Sequence, residues 1–120
     1  MNKDELKTRT KLFALRIIRL SEKLQQMGGS PKIISHQLLR SGTSVGANYR
    51  AACIAKSDND YLHKLKICEE EADETTYWLE LLIESQLIPG ELLTDIHDES
   101  RQITAIITAS IKTKRRNMGQ

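Results

Sequence analysis

Proline is scarce in this 120-residue chain, at two residues, and aromatic side chains are few: one Trp, three Tyr and one Phe. With so few aromatics, the chain has little to stack on nucleic-acid bases. No alternating run of β-branched and aromatic residues marks a strand. No long apolar stretch occurs either. WLELLI at 78–83, among the fullest, is broken by Glu80, so no segment is expected to span a membrane. The N-terminus, MNKDELKTRTKLF, carries acids and no apolar core followed by small residues, which does not fit a secretory signal. Cysteine is limited to Cys53 and Cys68, with no CxxC or Cys/His spacing; both read as small buried hydrophobes in a reducing compartment. A cytoplasmic protein of one domain is the expectation.

What the chain does have is helical periodicity. Leu6, Thr10, Phe13, Ile17, Leu20, Leu24 and Met27 alternate steps of three and four, and Gly28-Gly29 ends the run. Ser30 can cap a second helix and Pro31 suits its first turn; Ile34, Leu38, Val45, Tyr49 and Ala52 form its stripe. A third begins at Ser57-Asp58, with Tyr61, Leu65, Cys68, Ala72, Thr75, Leu79 and Leu82 close to a heptad pattern. Ile88-Pro89-Gly90 breaks it, and Pro89 can open a fourth, with Leu92, Leu93, Ile96, Ile103, Ile106, Ile107 and Ile111. The reading is an all-α, up-down-up-down antiparallel four-helix bundle, with helices at 3–27, 31–55, 58–87 and 89–113 and a fraying basic tail at 114–120. Leu12, Leu15, Ile18, Leu62, Ile67, Trp78, Leu81 and Ile83 lie off the stripes. A small bundle cannot easily hide all of them, so a homo-oligomer is expected.

The net charge of +2 hides an uneven distribution. Residues 1–29 carry seven basic and three acidic side chains, 30–57 four basic and no acidic, 58–88 two basic and nine acidic, and 89–120 five basic and four acidic. Acidic and basic helices lying side by side would neutralise one another; a basic face would instead suit nucleic acid. Candidate phosphate contacts are Lys7, Arg9, Arg16 and Arg19 in the first segment, Arg40 and Arg50 in the second, and Lys112, Arg115 and Arg116 at the end. Arg16 and Arg19, three apart, share a face.

The stretch RSGTSVGANYRAA at 40–52 sets two glycines four apart. A phosphate loop needs a preceding strand and a lysine at GxxxxGK[ST] spacing, and both are missing. As a helix, the stretch places Gly42 and Gly46 on one face, where a neighbouring helix can approach closely. Each glycine costs about 1 kcal/mol of helix propensity relative to alanine, which a close contact would explain. Ser41, Thr43, Ser44 and Asn48 can bond locally or across helices. Arg40 and Arg50 either pair with the acids of the third helix or reach solvent for a phosphate.

LLRSGTSVGANYRAA, followed by EEADETTYWLELL at 70–82, resembles the four-helix-bundle family of the 23S rRNA intervening sequence protein. That family is similar to the accessory variability determinant proteins of diversity-generating retroelements. The resemblance covers nearly the whole chain. It implies a pentameric assembly; the retroelement proteins are basic, barrel-like homopentamers that bind nucleic acid and a reverse transcriptase. The family's first block maps onto Arg40, Ser41, Ser44, Gly46, Asn48 and Arg50, and its second onto Glu71, Glu74, Thr75, Tyr77, Trp78 and Leu79. With Gly42, these are helix-packing or family-motif residues. Ala51 stands where an acid is expected in many members, which makes the second helix more basic.

Catalysis has little to stand on. A di-iron bundle needs two Glu-x-x-His motifs, and the chain offers only Asp60-Tyr-Leu-His63, with His36 and His97 alone. No Ser/His/Asp or Cys/His spacing is present. The expectation is a non-enzymatic homo-oligomer, pentameric by resemblance, that binds RNA or DNA without strong sequence preference and needs no cofactor or metal; a protein partner is also open. A protein-protein adaptor without nucleic acid is the alternative.

Overall fold

The computed structural model describes residues 1–120 and is an all-helical antiparallel four-helix bundle, α1 (Lys3–Met27), α2 (Gly29–Cys53), α3 (Asp58–Ser85) and α4 (Thr94–Asn117). It is a rod of 48 × 21 × 21 Å. Asn2 caps α1, its Oδ1 accepting from the Glu5 backbone N–H at 2.8 Å. Asp4 and Glu5 in the first turn suit the positive end of the helix dipole. Gly28 and Gly29, at φ 70° and 58°, turn the chain at once into α2. Ser30 therefore makes no cap; it lies inside a helix that starts two residues earlier than its spacing suggests. Ser57 caps α3 through the Asp60 N–H at 3.0 Å, and Gln86 closes that helix in the left-handed region at φ 59°.

The fourth segment departs from the pattern at both ends. Pro89 leads into a 3-10 turn, Gly90–Leu92, and α4 starts only at Thr94. Leu93, fully buried, anchors that turn to the core, while Leu92 points outward. At the other end α4 runs through Lys114, Arg115 and Arg116 to Asn117. Basic side chains in a last turn oppose the negative end of the helix dipole, which favours helix where a frayed tail is expected.

The stripes meet in one core of 21 buried apolar residues. Two steps that look empty in the sequence are filled by hydroxyls. Ser41 continues the α2 stripe between Leu38 and Val45, and its Oγ meets Thr75 Oγ1 at 2.9 Å. Ser100 fills the gap between Ile96 and Ile103 in α4 and meets Thr76 Oγ1 at 2.6 Å. Buried polar groups paired across helices carry no desolvation penalty of an orphan group, and they fix the register of α2 on α3 and of α3 on α4.

α1 packs chiefly on α2, and among neighbouring helices α1 and α4 approach one another least. The α1–α2 contact depends on the two glycines. A Cβ on Gly42 would lie 2.8 Å from both Cγ1 and Cγ2 of Ile17, and one on Gly46 would lie 3.3 Å from the Thr10 carbonyl oxygen. Ile17 is fully buried and has nowhere to move. Overpacking costs about 1–3 kcal/mol, while alanine restores about 1 kcal/mol of helix propensity. Gly42→Ala is therefore expected to lower the unfolding free energy by about 1 kcal/mol net, seen as a lower urea midpoint at unchanged slope. An unchanged or raised midpoint would refute the close-contact reading.

Candidate nucleic-acid interface

Antiparallel connection brings the start of α1, the end of α2, the start of α3 and the end of α4 to one end of the rod. The segments 1–14, 44–70 and 106–120 that form this half hold twelve basic and six acidic side chains; the other half, 15–43 and 71–105, holds six basic and ten acidic. Two helix N-termini and two C-termini meet at each end, so the backbone dipoles largely cancel and the side chains set the polarity.

Within the basic half, a groove of about 420 Å³ runs between α1 and α2. Lys7 and Lys11 rise from α1 and Arg50 from α2, with the Thr8 and Thr43 hydroxyls beside them. The floor is Ala14, Gly46 and Ala47, so the cations stand over a surface of small side chains. No carboxylate lines the groove. Lys7 reaches Asp4 at 3.3 Å, but Asp4 is 91% exposed, and such a pair contributes little. Lys11 and Arg50 are exposed and make no ion pair. Lys112, Arg115 and Arg116 stand exposed near the same end on α4, whereas Lys114 is paired with Asp58 at 2.7 Å.

The other candidate cations are placed differently. Arg9 makes a two-pronged pair with Glu99, Nε to Oε2 at 2.8 Å and Nη2 to Oε1 at 2.6 Å, and also donates to Gln102 Oε1 at 2.8 Å. The hydrogen bonds to Glu99 raise the Arg9 pKa further, against the opposing effect of burial. Arg9 is thus a clamp across the loose α1–α4 seam, and its fork is occupied. Arg40 donates to Glu71 (3.1 Å) and Glu74 on α3. Of the two fates open to the arginines of RSGTSVGANYRAA, Arg40 takes the pairing and Arg50 the solvent. Arg16 and Arg19 lie in the half where acids predominate, away from the groove.

The two family blocks meet across the α2–α3 seam. Arg40 spans Glu71 and Glu74, Ser41 meets Thr75, and Trp78 Nε1 donates to Glu74 at 3.3 Å with Tyr77 edge-on to its ring. The Ser44 hydroxyl and the Asn48 amide donate back to carbonyls within α2. Arg40 with Glu71 and Glu74, and Ser41 with Thr75, hold α2 to α3. Glu69 joins α3 to α4: its carboxylate accepts from Lys66 and Thr108, which together hold its pKa below the usual range. Burial pushes the Cys68 thiol up to about 12, so this residue stays protonated as a small apolar filler.

Lys11 is the groove residue that the choice of candidates passes over. Its signal is the four-residue spacing from Lys7, one helical turn, opposite Arg50 on a helix that the glycines bring close. Arg16 and Arg19 have a similar spacing, but Arg40 on the next helix is engaged by Glu71 and Glu74.

Four antiparallel helices, a glycine-mediated seam and a cross-helix Arg-Glu-Trp cluster define a class of small helical bundle. The profile of the 23S rRNA-intervening sequence protein family matches residues 3–109, and the chain belongs to that family. The chain is also similar to a protein of unknown function from the S23 ribosomal protein family of Bacteroides thetaiotaomicron VPI-5482, known from its crystal structure. The two share 40% identity at a TM-score of 0.84, over 93% of this chain and 99% of the other. No curated protein matches the chain. Neither description names an enzymatic activity. No helix is long and apolar enough to cross a membrane.

Proposed function

We propose that this protein is a non-enzymatic, homo-oligomeric, cytoplasmic bundle that binds RNA or DNA through the phosphate backbone, using the basic end of the rod. The observation that carries the reading is the convergence of Lys7, Lys11 and Arg50 over a floor of small residues, with no carboxylate in the groove. Phosphate oxygens accept readily from such donors, and the contacts carry affinity without reading sequence. Lys112, Arg115 and Arg116 extend the positive end onto α4. The acidic half faces away and would be repelled by the same strand, which orients the rod.

Self-association rests on a separate feature. Leu12, Leu15 and Ile18 are 56%, 40% and 37% exposed on the face of α1 opposite its core stripe. A second copy of the chain is the occupant this reading assigns to that face. Ring closure, pentameric as the resemblance implies, would repeat the basic end once per subunit.

Fluorescence anisotropy with an RNA duplex and a DNA duplex over a salt series tests the binding. Lys7→Gln/Lys11→Gln is expected to weaken binding about tenfold at low salt and to reduce the log–log salt slope by about two, while Arg16→Gln/Arg19→Gln leaves both close to wild type. Absence of binding at low salt by the folded protein sinks the reading and favours an adaptor. For assembly, light scattering should give a multimer for wild type and a monomer for Leu15→Glu. A monomeric wild type contradicts the oligomer.

A further inference from the structure

A second cavity, of about 570 Å³, opens at the same end between the start of α1 and the end of α4. Its size lies within the roughly 300–1,000 Å³ of small-molecule sites. Leu6, Tyr49, Tyr61 and Ile106 wall it with apolar surface, and Ser110 and Thr113 lie along it. Two ammonium groups lie over one aromatic ring: Lys3 Nζ is 4.6 Å and Lys114 Nζ 5.6 Å from the centroid of Tyr61. Like charges drawn to one ring repel each other. No carboxylate lines the cavity; Asp58, outside the lining, compensates Lys114 at 2.7 Å, and Lys3 has no acidic partner.

Tyr49 adds a second observation. It is 3% exposed, and its hydroxyl engages the Cys53 thiol, a weak partner. Burial raises the pKa of both Tyr49 and Tyr61, so each keeps its proton at neutral pH and can act as a donor.

We propose that this cavity binds a phosphate monoester, with the phosphate between Lys3 and Lys114 and the organic body against Tyr61, Leu6 and Ile106. A monoester carries close to two negative charges at neutral pH and meets one uncompensated ammonium, Lys3, and a second, Lys114, shared with Asp58. A diester within a strand carries one charge and continues on both sides, whereas Leu6, Tyr49 and Ile106 close the inner wall. The ester's source is either a free mononucleotide or the 5′-phosphate at the end of a strand. The site shares no residue with the Lys7–Lys11–Arg50 groove.

Calorimetric titration of the full chain with AMP and with adenosine tests the assignment. AMP should bind at least about tenfold more tightly than adenosine, and Lys3→Gln/Lys114→Gln should abolish that preference while Lys7→Gln/Lys11→Gln keeps it. Equal binding of the two ligands, no binding of either, or a preference that survives Lys3→Gln/Lys114→Gln overturns the proposal. If the double variant loses its circular dichroism signal, Lys3→Gln alone, altered in the exposed first turn of α1, decides in the same way. An oligonucleotide that displaces AMP better with a 5′-phosphate than with a 5′-hydroxyl identifies a strand end; equal displacement identifies the free mononucleotide. Failure here leaves the groove intact, because duplex binding there needs neither Lys3 nor Lys114.

Discussion

The close seating of α1 on α2 at Gly42 and Gly46 governs what the rest of the molecule can do. With no side chain at these positions, Ile17 lies directly over one glycine and the Thr10 backbone over the other. That seating buries the α1 stripe. It also sets Lys7 and Lys11 beside Arg50 across a floor in which Gly46 itself takes part. A packing requirement and a charge arrangement thus share one cause. The propensity given up in α2 is returned as close packing, which glycine alone allows there.

Packing and charge divide along the rod. The centre and acidic half use ion pairs to join helices: Arg9 to Glu99 across α1–α4, and Arg40 to Glu71 and Glu74 across α2–α3. These pairs are part of the architecture, and their cations are already engaged. At the basic end several cations lack such partners, so the field there is uncompensated. A phosphate partner would supply the missing charge in the groove and beside Lys3 in the second cavity.

Much of the fold is legible in the sequence because helical periodicity is a local signal. Phe13, Ile17, Leu38, Leu65, Leu79 and Ile107 fall on the stripes and are fully buried. The shortfalls are at helix ends. Ser30 looks like a cap, but two glycines at positive φ close the turn first. Pro89 looks like a helix start, but burial of Leu93 pulls the chain into a 3-10 turn. The interface is less legible, because linear blocks of charge do not report which ends meet. Residues 58–88 look uniformly acidic, yet Lys64 and Lys66 lie in the basic half while Glu80 and Glu84 lie in the other. Arg40 and Arg50 are equivalent in the sequence; only the register of α2 on α3 separates them.

Lysine acetylation, read by mass spectrometry with and without a saturating RNA duplex, tests the central claim, that phosphate is bound at one end of the rod. The account predicts protection of Lys7, Lys11 and Lys112, with Lys23 and Lys32 at the opposite end unchanged. Protection spread equally over both ends, or confined to Lys23 and Lys32, would contradict it.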